Sequence, residues 1–255
     1  MHMINNKNLN YLRKTLFYFG ALGSLMCLFI AAFWWDNQKN TNKPHVKFSN
    51  TRVLNIDSYK SLIHKIIDND IDKINLDQLV DTLEAHPYTK VVRVSRHYPN
   101  QIIIEIMERE PIAIVNKNPL VLLDDHGIVL PNEPSLKSFN LPFMTNFNKD
   151  SLLYPPGKKT LSLKLKECIS LISEIKNKYN DLYNNLSELK ITSDNEIELV
   201  LYDNSTQIFL GNDFINYRIN VLKEFEKELN PKKISDFAYL DMRYDNQVIA
   251  KRRRS

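Results

Sequence analysis

Four acidic residues near the middle of the chain, Glu108, Glu110, Asp124 and Asp125, offer the arrangement closest to a catalytic site. Two carboxylates that flank a glycosidic bond serve as general acid and as base or nucleophile, so such a pair would hydrolyse a polysaccharide. The same four residues fall at the ends of predicted strands and in a predicted turn, where charged side chains are ordinarily solvated. We therefore interpret them as surface and turn residues, and glycoside hydrolysis stays as the catalytic alternative.

Metal, thiol and nucleotide chemistry have less support. The six histidines are scattered and no two stand four residues apart, and the two cysteines do not form a ligand pair, so no zinc site is predicted. The five glycines include no phosphate-binding cluster. We expect no catalytic residue, no bound cofactor and no metal. Cys168 is expected to be a small buried side chain on a helix face.

Residues 16–35 form an uncharged apolar run of twenty residues, LFYFGALGSLMCLFIAAFWW. At about 1.5 Å per residue, a helix of this length spans roughly 30 Å, the thickness of the hydrocarbon core of a bilayer. A cleaved signal peptide is the competing interpretation, but the run is longer than a usual signal core and ends in three aromatic residues rather than small ones. We expect a transmembrane helix. Because Cys27 falls inside it, Cys168 has no partner for a disulfide.

The formal net charge of +4 divides unevenly along the chain. Lys7, Arg13 and Lys14 precede the apolar run and residues 251–254 are all basic, which leaves 27 basic against 30 acidic side chains between residues 36 and 250. Positive residues before a first span are typical of its cytoplasmic side, so the residues before the run are expected in the cytoplasm and the rest across the membrane. An exported and slightly acidic body disfavours nucleic acid as a partner.

The period of the apolar residues divides the chain after the span into two parts. A polar linker is predicted at residues 36–45. Residues 46–115 favour the order strand, helix, helix, strand, strand, which suits a small α+β domain, and residues 116–250 favour a strand-rich domain with two packed helices. The first two predicted helices are capped by Asp57 or Ser58 and by Asn75, and the later two span about 161–179 and 212–229. The predicted strands are 46–53, 92–98, 102–107, 112–115, 120–123, 128–130, 189–191, 196–202, 206–210, 237–242 and 247–250.

Two stretches resemble signatures of a known protein family. One is the hairpin VSRHYPNQIIIEIMEREPIAIV at residues 94–115, and the other is YLDMRYDNQVIAKR, which begins at Tyr239. Together, behind a single apolar span, they resemble the FtsQ/DivIB family of bacterial cell division proteins over essentially the whole chain. The resemblance implies a cytoplasmic tail (1–15), a transmembrane helix (16–35), a linker (36–45), a POTRA domain of β-α-α-β-β order (46–115), a β domain (116–250) and a basic tail (251–255).

The resemblance also implies a function without catalysis. Members of this family are assembly factors of the division machinery, so the chain is expected to bind FtsB- and FtsL-like single-span proteins and to link early and late division proteins, among them FtsK-, FtsW- and FtsI-like ones. Its expected location is the inner membrane at the division septum, as a single-pass protein with its bulk in the periplasm. The alternatives are a POTRA-bearing secretion or assembly factor tethered to the membrane and a tethered cell-wall hydrolase, which turnover of peptidoglycan would reveal.

The residues expected to bind partners are carried over from the same resemblance. At the second signature and the strand after it they are Asp241, Arg243, Tyr244, Asn246, Gln247, Val248 and Ile249, and in the POTRA hairpin they are Val94 and Arg96. An edge strand could accept an extended segment of a partner through main-chain hydrogen bonds, with Arg243 pairing an acidic residue of that partner. Alternatively, Asp241 braces Arg243, residues 241–244 only close the domain, and Val94 is a core residue.

The sequence departs from the family pattern in three places. Met242 replaces the usual leucine, the strand after Tyr244 lacks the common glycine and terminal aromatic residue, and residues 251–254 form a basic run that the family does not imply. We interpret that basic run as a solvated end.

Overall fold

A computed structural model of the chain describes residues 6–39, 44–67, 71–98, 100–133, 140–245 and 247–253. Its first element is the helix α1 (Asn6–Lys39), within which Thr15–Trp35 has a mean hydropathy of 2.1 and packs against no other part of the described chain. The length and composition of this segment suit it to crossing a membrane, as predicted for residues 16–35, and are consistent with membrane anchoring.

The first domain has the predicted order of strand, helix, helix, strand, strand. Its elements are β1 (His45–Ser49), α2 (Ile56–Ile67), α3 (Leu76–Glu84), β2 (Thr89–His97) and β3 (Gln101–Glu108). The central strand is β3, which lies parallel to β1 and antiparallel to β2. Alternate residues of β3 are fully buried and pack with the buried side chains of both helices, which gives the domain one core under one face of its sheet.

Asparagine side chains stand at the start of both helices. The helix α2 begins at Ile56, ahead of the predicted start, because Asn55 provides the cap: its carbonyl accepts the Ser58 N–H (3.0 Å) and its side chain accepts the Asp57 N–H (3.4 Å). The Asn75 side chain, the predicted cap of α3, accepts the N–H groups of residues 77 and 78 at 2.9 and 3.2 Å. These bonds satisfy N–H groups that have no partner within a first helical turn.

The carboxylate of Glu108, at the end of β3, holds the segment between β1 and α2. It accepts hydrogen bonds from the main-chain N–H groups of Arg52, Val53 (2.6 Å) and Leu54 (3.1 Å), and from the Tyr59 hydroxyl (2.9 Å). Because these N–H groups bind a carboxylate instead of a strand, β1 ends before this segment rather than at the predicted residue 53. Burial and the neighbouring Glu108 charge raise the pKa of Tyr59, so its hydroxyl stays a donor.

The second domain is a single large sheet with helices packed on it. Within the described residues its elements are β4 (Pro111–Val115), β5 (Val121–Asp124), β6 (Val129–Pro131), β7 (Phe143–Thr145), α4 (Leu163–Lys178), α5 (Asn180–Asn185), β8 (Leu186–Ile191), β9 (Ile197–Leu201), β10 (Gln207–Gly211), α6 (Ile215–Glu228), β11 (Phe237–Asp241) and β12 (Ile249–Arg252). The nine strands lie in the order β12-β11-β10-β9-β8-β7-β4-β5-β6. The predicted α+β class, with a strand-rich second domain, is confirmed.

Several parts of the second domain differ from the prediction. No strand was predicted at the position of β7, which lies between β4 and β8 in the sheet. The strand β4, predicted in the first domain, pairs with β5 and β7 of the larger sheet, and Pro111 takes its first position, where a missing N–H is tolerated. The helix α5 has only six residues, too few to show an apolar period, and is absent from the prediction. The strand β12 begins at Ile249 rather than at residue 247 and includes Lys251 and Arg252, which were predicted in a solvated tail, because it pairs with β11 along its whole length.

An apolar junction joins the two domains. Leu122 of β5 and Leu130 of β6 are buried in the same cluster as the core of the first domain. The Tyr88 hydroxyl, just before β2, donates to the Pro131 carbonyl of β6 (2.7 Å). The domains therefore share buried surface and not only a connecting segment of chain.

Replacing Glu108 with alanine is expected to destabilise the first domain, because three main-chain N–H groups and the Tyr59 hydroxyl lose their acceptor together. Each unsatisfied buried donor costs roughly 1–3 kcal/mol, and with the segment partly exposed we expect a total loss of about 2–4 kcal/mol. Urea unfolding of the full chain in detergent measures this loss. Glu105→Ala is the control, since Glu105 lies on the same strand with its side chain 45% exposed. Equal stability of the two variants would contradict the assignment.

Replacing Tyr88 with phenylalanine is expected to weaken the junction by about 1 kcal/mol, because it removes one hydrogen bond to Pro131 and keeps the ring. The measurement is hydrogen exchange at β6, which should become faster. Tyr202→Phe is the control, since Tyr202 is 76% exposed. Wild-type exchange at β6 in Tyr88→Phe would show that the bond does not hold the junction.

Candidate protein-binding site

The two outer strands of the nine-stranded sheet differ in how their edges are covered. At β6, the Val129 N–H donates to the Lys158 carbonyl (2.9 Å), and the Gly157 N–H donates to the Val129 carbonyl (2.8 Å), so a neighbouring loop closes this edge. At the other side, β12 is exposed at all four of its residues and pairs with β11 alone among the described strands. An exposed edge with free main-chain donors and acceptors is suited to pairing with another chain.

The side chain of Arg243 is held from within the chain, just after β11. Its Nε and Nη2 donate to the two Asp241 carboxylate oxygens at 2.9 and 2.7 Å, and its Nη1 donates to Glu196 at 3.0 Å. The guanidinium also lies 5.4 Å from the centre of the Phe209 ring. The Arg243 hydrogen bonds lower the pKa of Asp241, and the two carboxylates raise the pKa of Arg243. Asp241 therefore braces Arg243, and the Arg243 charge is already matched.

A second arginine connects the start of α6 to the same segment. Arg218 donates from Nη1 to the Leu210 carbonyl (2.5 Å) and from Nη2 to the Arg243 carbonyl (3.1 Å). Gly211 makes room for it: its φ is +76°, and a Cβ there would lie 2.6 Å from the Arg218 guanidinium. A larger residue at 211 would displace the side chain that ties β10 to the segment after β11.

A groove of about 430 Å³ lies beside this segment, between α6 and the residues that lead into β12. Its apolar walls come from Phe214, Tyr217 and Val221 on one side and from Met242 and Tyr244 on the other. Phe214, Tyr217 and Tyr244 are 75%, 57% and 55% exposed and line the same groove, so they form an exposed apolar patch of the kind that marks interaction sites. Phe214 also has a left-handed φ of 52°, a strained conformation that is often found at functional sites.

The structure brings most of the predicted residues around β12 together. Gln247 lines the groove with Tyr244, and Ile249 is 41% exposed on β12. Val248 is half-buried and packs against the core of the second domain, so its side chain has a structural contact. Asn246 lies outside the described residues.

The two residues predicted on the POTRA hairpin lie in the other sheet and are not part of this site. Val94 is half-buried and packs against the core of the first domain, as in the alternative that treats it as a core residue. Arg96 donates from Nη2 to the Ile74 carbonyl (2.8 Å), and its Nη1 lies 3.9 Å from Asp72. Arg96 thus connects β2 to the segment that precedes α3.

Two of the four acidic residues considered for catalysis, Glu108 and Asp124, have structural contacts. Asp124 is 2% exposed, accepts the N–H groups of His126 (3.0 Å) and Ile128 (2.7 Å), and binds Arg109 at 3.1 Å. It therefore shapes the β5–β6 turn, as Glu108 shapes the segment after β1. In the described part of the chain no three acidic, histidine or cysteine side chains cluster as metal ligands would. Cys168 is fully buried on α4, and burial raises the pKa of its thiol to about 12.

The structure adds residues to the site that the sequence did not single out. Phe214, Tyr217 and Arg218 lie 21 to 25 residues before the start of the second signature and contact its surroundings only through the fold. The one local signal in the sequence was Phe214, an aromatic residue shortly after a glycine. In the structure that glycine, Gly211, has a positive φ and ends β10.

Comparisons with known proteins divide the chain at the same point as the two sheets. Residues 45–109 match the family described as POTRA domain, FtsQ-type, and residues 110–251, more than half of the chain, match FtsQ/DivIB, C-terminal related. Two curated relatives are each named "Cell division protein FtsQ". The one from Geobacter sp. (strain M21) is 27% identical over 180 residues, which cover 71% of this chain and 65% of that protein. The one from Geotalea daltonii is 25% identical over 180 residues, which cover 70% and 64%. The chain thus matches slightly less than two thirds of each relative.

The Asp241 carboxylate is expected to contribute stability that depends on pH. Because its pKa is lowered in the folded protein, the contribution is present above the unfolded pKa of about 4 and is lost as the pH falls through the lower folded pKa. Asp241→Asn should therefore be about 1 kcal/mol less stable than wild type to urea unfolding at pH 7, and this difference should shrink as the pH falls through the folded pKa. Asp245→Asn, an exposed carboxylate in the same segment, is the control. A gap between wild type and Asp241→Asn that stays constant with pH would contradict the expectation.

Proposed function

This chain belongs to the FtsQ/DivIB family of cell division proteins, and from that premise we propose that it is a membrane-anchored assembly factor that binds FtsB- and FtsL-like proteins. The observation that carries the proposal is the open β12 edge beside an apolar groove. The covered β6 edge leaves β12 as the side of the larger sheet where a strand can be added.

The edge and the groove supply two different kinds of contact. An extended segment of a partner pairs with β12 through main-chain hydrogen bonds, over about 13 Å if four residues pair. Side chains from the same partner enter the groove and pack on Tyr244, Tyr217 and Phe214, which gives the choice of partner that main-chain bonds cannot give. Aromatic anchors of this kind dominate the binding energy of many interfaces.

The braced arginine has a supporting function in this proposal. Arg243 is bound to Asp241 and Glu196, so a partner carboxylate gains less from it than from an unpaired arginine. Its main contribution is to hold the main chain that leads to Tyr244, with the help of Arg218. The Arg243 side chain is 40% exposed, so it remains accessible for a second contact with an acidic partner residue.

The remaining expectations from the family belong to the same proposal. The positive residues that precede the apolar segment of α1 support a cytoplasmic start and a periplasmic bulk, in the inner membrane at the division septum. The hairpin of β2 and β3, with Val94 and Arg96, is proposed to contact further division proteins such as FtsK-, FtsW- and FtsI-like ones. The chain is proposed to act as a scaffold that links early and late components without catalysis.

The direct test is capture of an FtsB-like partner by the full chain in detergent. Tyr244→Ala removes an exposed aromatic side chain from the groove and is expected to weaken capture at least about tenfold, the effect of losing one strong interface contact. Tyr202→Ala is the matched control, because Tyr202 is exposed in the same domain away from the groove. Undiminished capture by Tyr244→Ala would refute the groove and the β12 edge as the partner site.

A further inference from the structure

The strand β12 is weakly held for an element that has to receive a partner. It pairs with β11 on one side, its four residues are all exposed, and the pairing is irregular between Phe237 and Tyr239. Short edge strands with little apolar burial open readily, because water can replace their hydrogen bonds. Something beyond strand pairing must keep β12 formed in the unbound protein.

Arg253, the residue after β12, supplies such a contact. Its Nη2 donates to the main-chain carbonyl of Asn204 and to the Thr206 hydroxyl oxygen (3.2 Å). Asn204 and Thr206 belong to the turn between β9 and β10, so Arg253 extends past β11 and binds the interior part of the sheet. Asn204 and Ser205 both have left-handed φ values, 56° and 52°, in the turn that presents this carbonyl to the guanidinium.

The groups that bind Arg253 are themselves fixed to the start of β11. Thr206 is fully buried, and its hydroxyl donates to the Phe237 carbonyl at 2.7 Å. The Asn204 side-chain amide donates to the Ser235 carbonyl at 3.0 Å. Phe237 lies opposite Arg252 in the β11–β12 pairing, immediately before Arg253. One arginine thus ties the end of β12 to a turn that is bonded to the beginning of β11.

Lys251, a neighbouring basic residue, also holds β12 against β11. The Lys251 ammonium lies 5.6 Å from the centre of the Tyr239 ring, and Tyr239 is the residue paired with Lys251 across the two strands. Two members of the basic run therefore contact the protein's own sheet. This is a different outcome from the solvated end expected from the sequence.

We propose that Arg253 is a positioning residue that keeps β12 formed and in register on β11 before a partner arrives. The proposal rests on the proposed function, in which β12 is the strand that a partner extends. A receiving strand that is already ordered does not have to be ordered during binding, so more of the interaction energy appears as affinity. Through Arg253, the turn between β9 and β10 helps to keep β12 ordered for binding.

The test measures hydrogen exchange in the full chain in detergent, without any partner. In Arg253→Ala the amides of Ile249–Arg252 that pair with β11 should exchange at least about tenfold faster, since a hydrogen-bonded charge has been removed. Arg253→Lys keeps the charge but loses the guanidinium fork, and should give an intermediate increase. Arg252→Ala, an adjacent exposed arginine, should leave the exchange at wild-type rates. The strand β10 should exchange at wild-type rates in all three variants.

Two results would overturn the proposal: wild-type exchange of β12 in Arg253→Ala, or an equal acceleration at β10, which would indicate general destabilisation. A second measurement separates it from the proposed function. Capture of the FtsB-like partner should fall in the order wild type, Arg253→Lys, Arg253→Ala. If wild type captures no partner, the proposed function fails, while the exchange at β12 still decides the function of Arg253.

Discussion

A sheet that does not close on itself has two edges, and each leaves main-chain donors and acceptors that must be covered or paired. In the nine-stranded sheet one edge is covered and the other is exposed. A loop and the first domain cover β6, while β12 remains exposed, and the aromatic groove, the braced Arg243 and the Arg253 contact all lie around the exposed side. The distribution of unusual side chains over the second domain follows from this difference between its edges.

Among the described residues, the charged side chains around the exposed edge mainly bind groups of their own domain, and few of them are left unpaired for a partner. Arg218, Arg243 and Arg253 all donate to main-chain carbonyls or carboxylates of the same domain. Each bridges pieces of chain that are distant in sequence, such as β10 and the segment after β11. An arginine suits this because its planar fork binds two acceptors at once and stays charged. The exposed surface that remains for a partner is therefore mainly aromatic side chains and main-chain groups.

Local patterns in the sequence were sufficient for the order of the elements in the first domain and for most elements of the second, but they missed the short elements β7 and α5. Long-range pairing decided the rest. The alternation of Ile102, Ile104 and Ile106 predicted a half-buried strand, and Asn75 predicted a helix start, because both signals act within a few residues. The end of β1 and the sheet to which β4 belongs depend on Glu108 and on partners up to 56 residues away, which no local period reports. The basic run at 251–254 has the composition of a solvated end, and only the fold shows that Lys251 and Arg253 have acceptors and a ring to contact.

The junction between the domains has a consequence for how the chain is made. Leu122 and Leu130 complete the core of a first domain that otherwise ends at Glu108, and Pro131 supplies the acceptor for Tyr88. Because a chain is synthesised from its N-terminus, the first domain emerges with part of its apolar surface uncovered. That surface stays exposed to aggregation or to chaperones until some twenty further residues have been added. The order of synthesis thus delays the final packing of the first domain until the β5–β6 hairpin has folded.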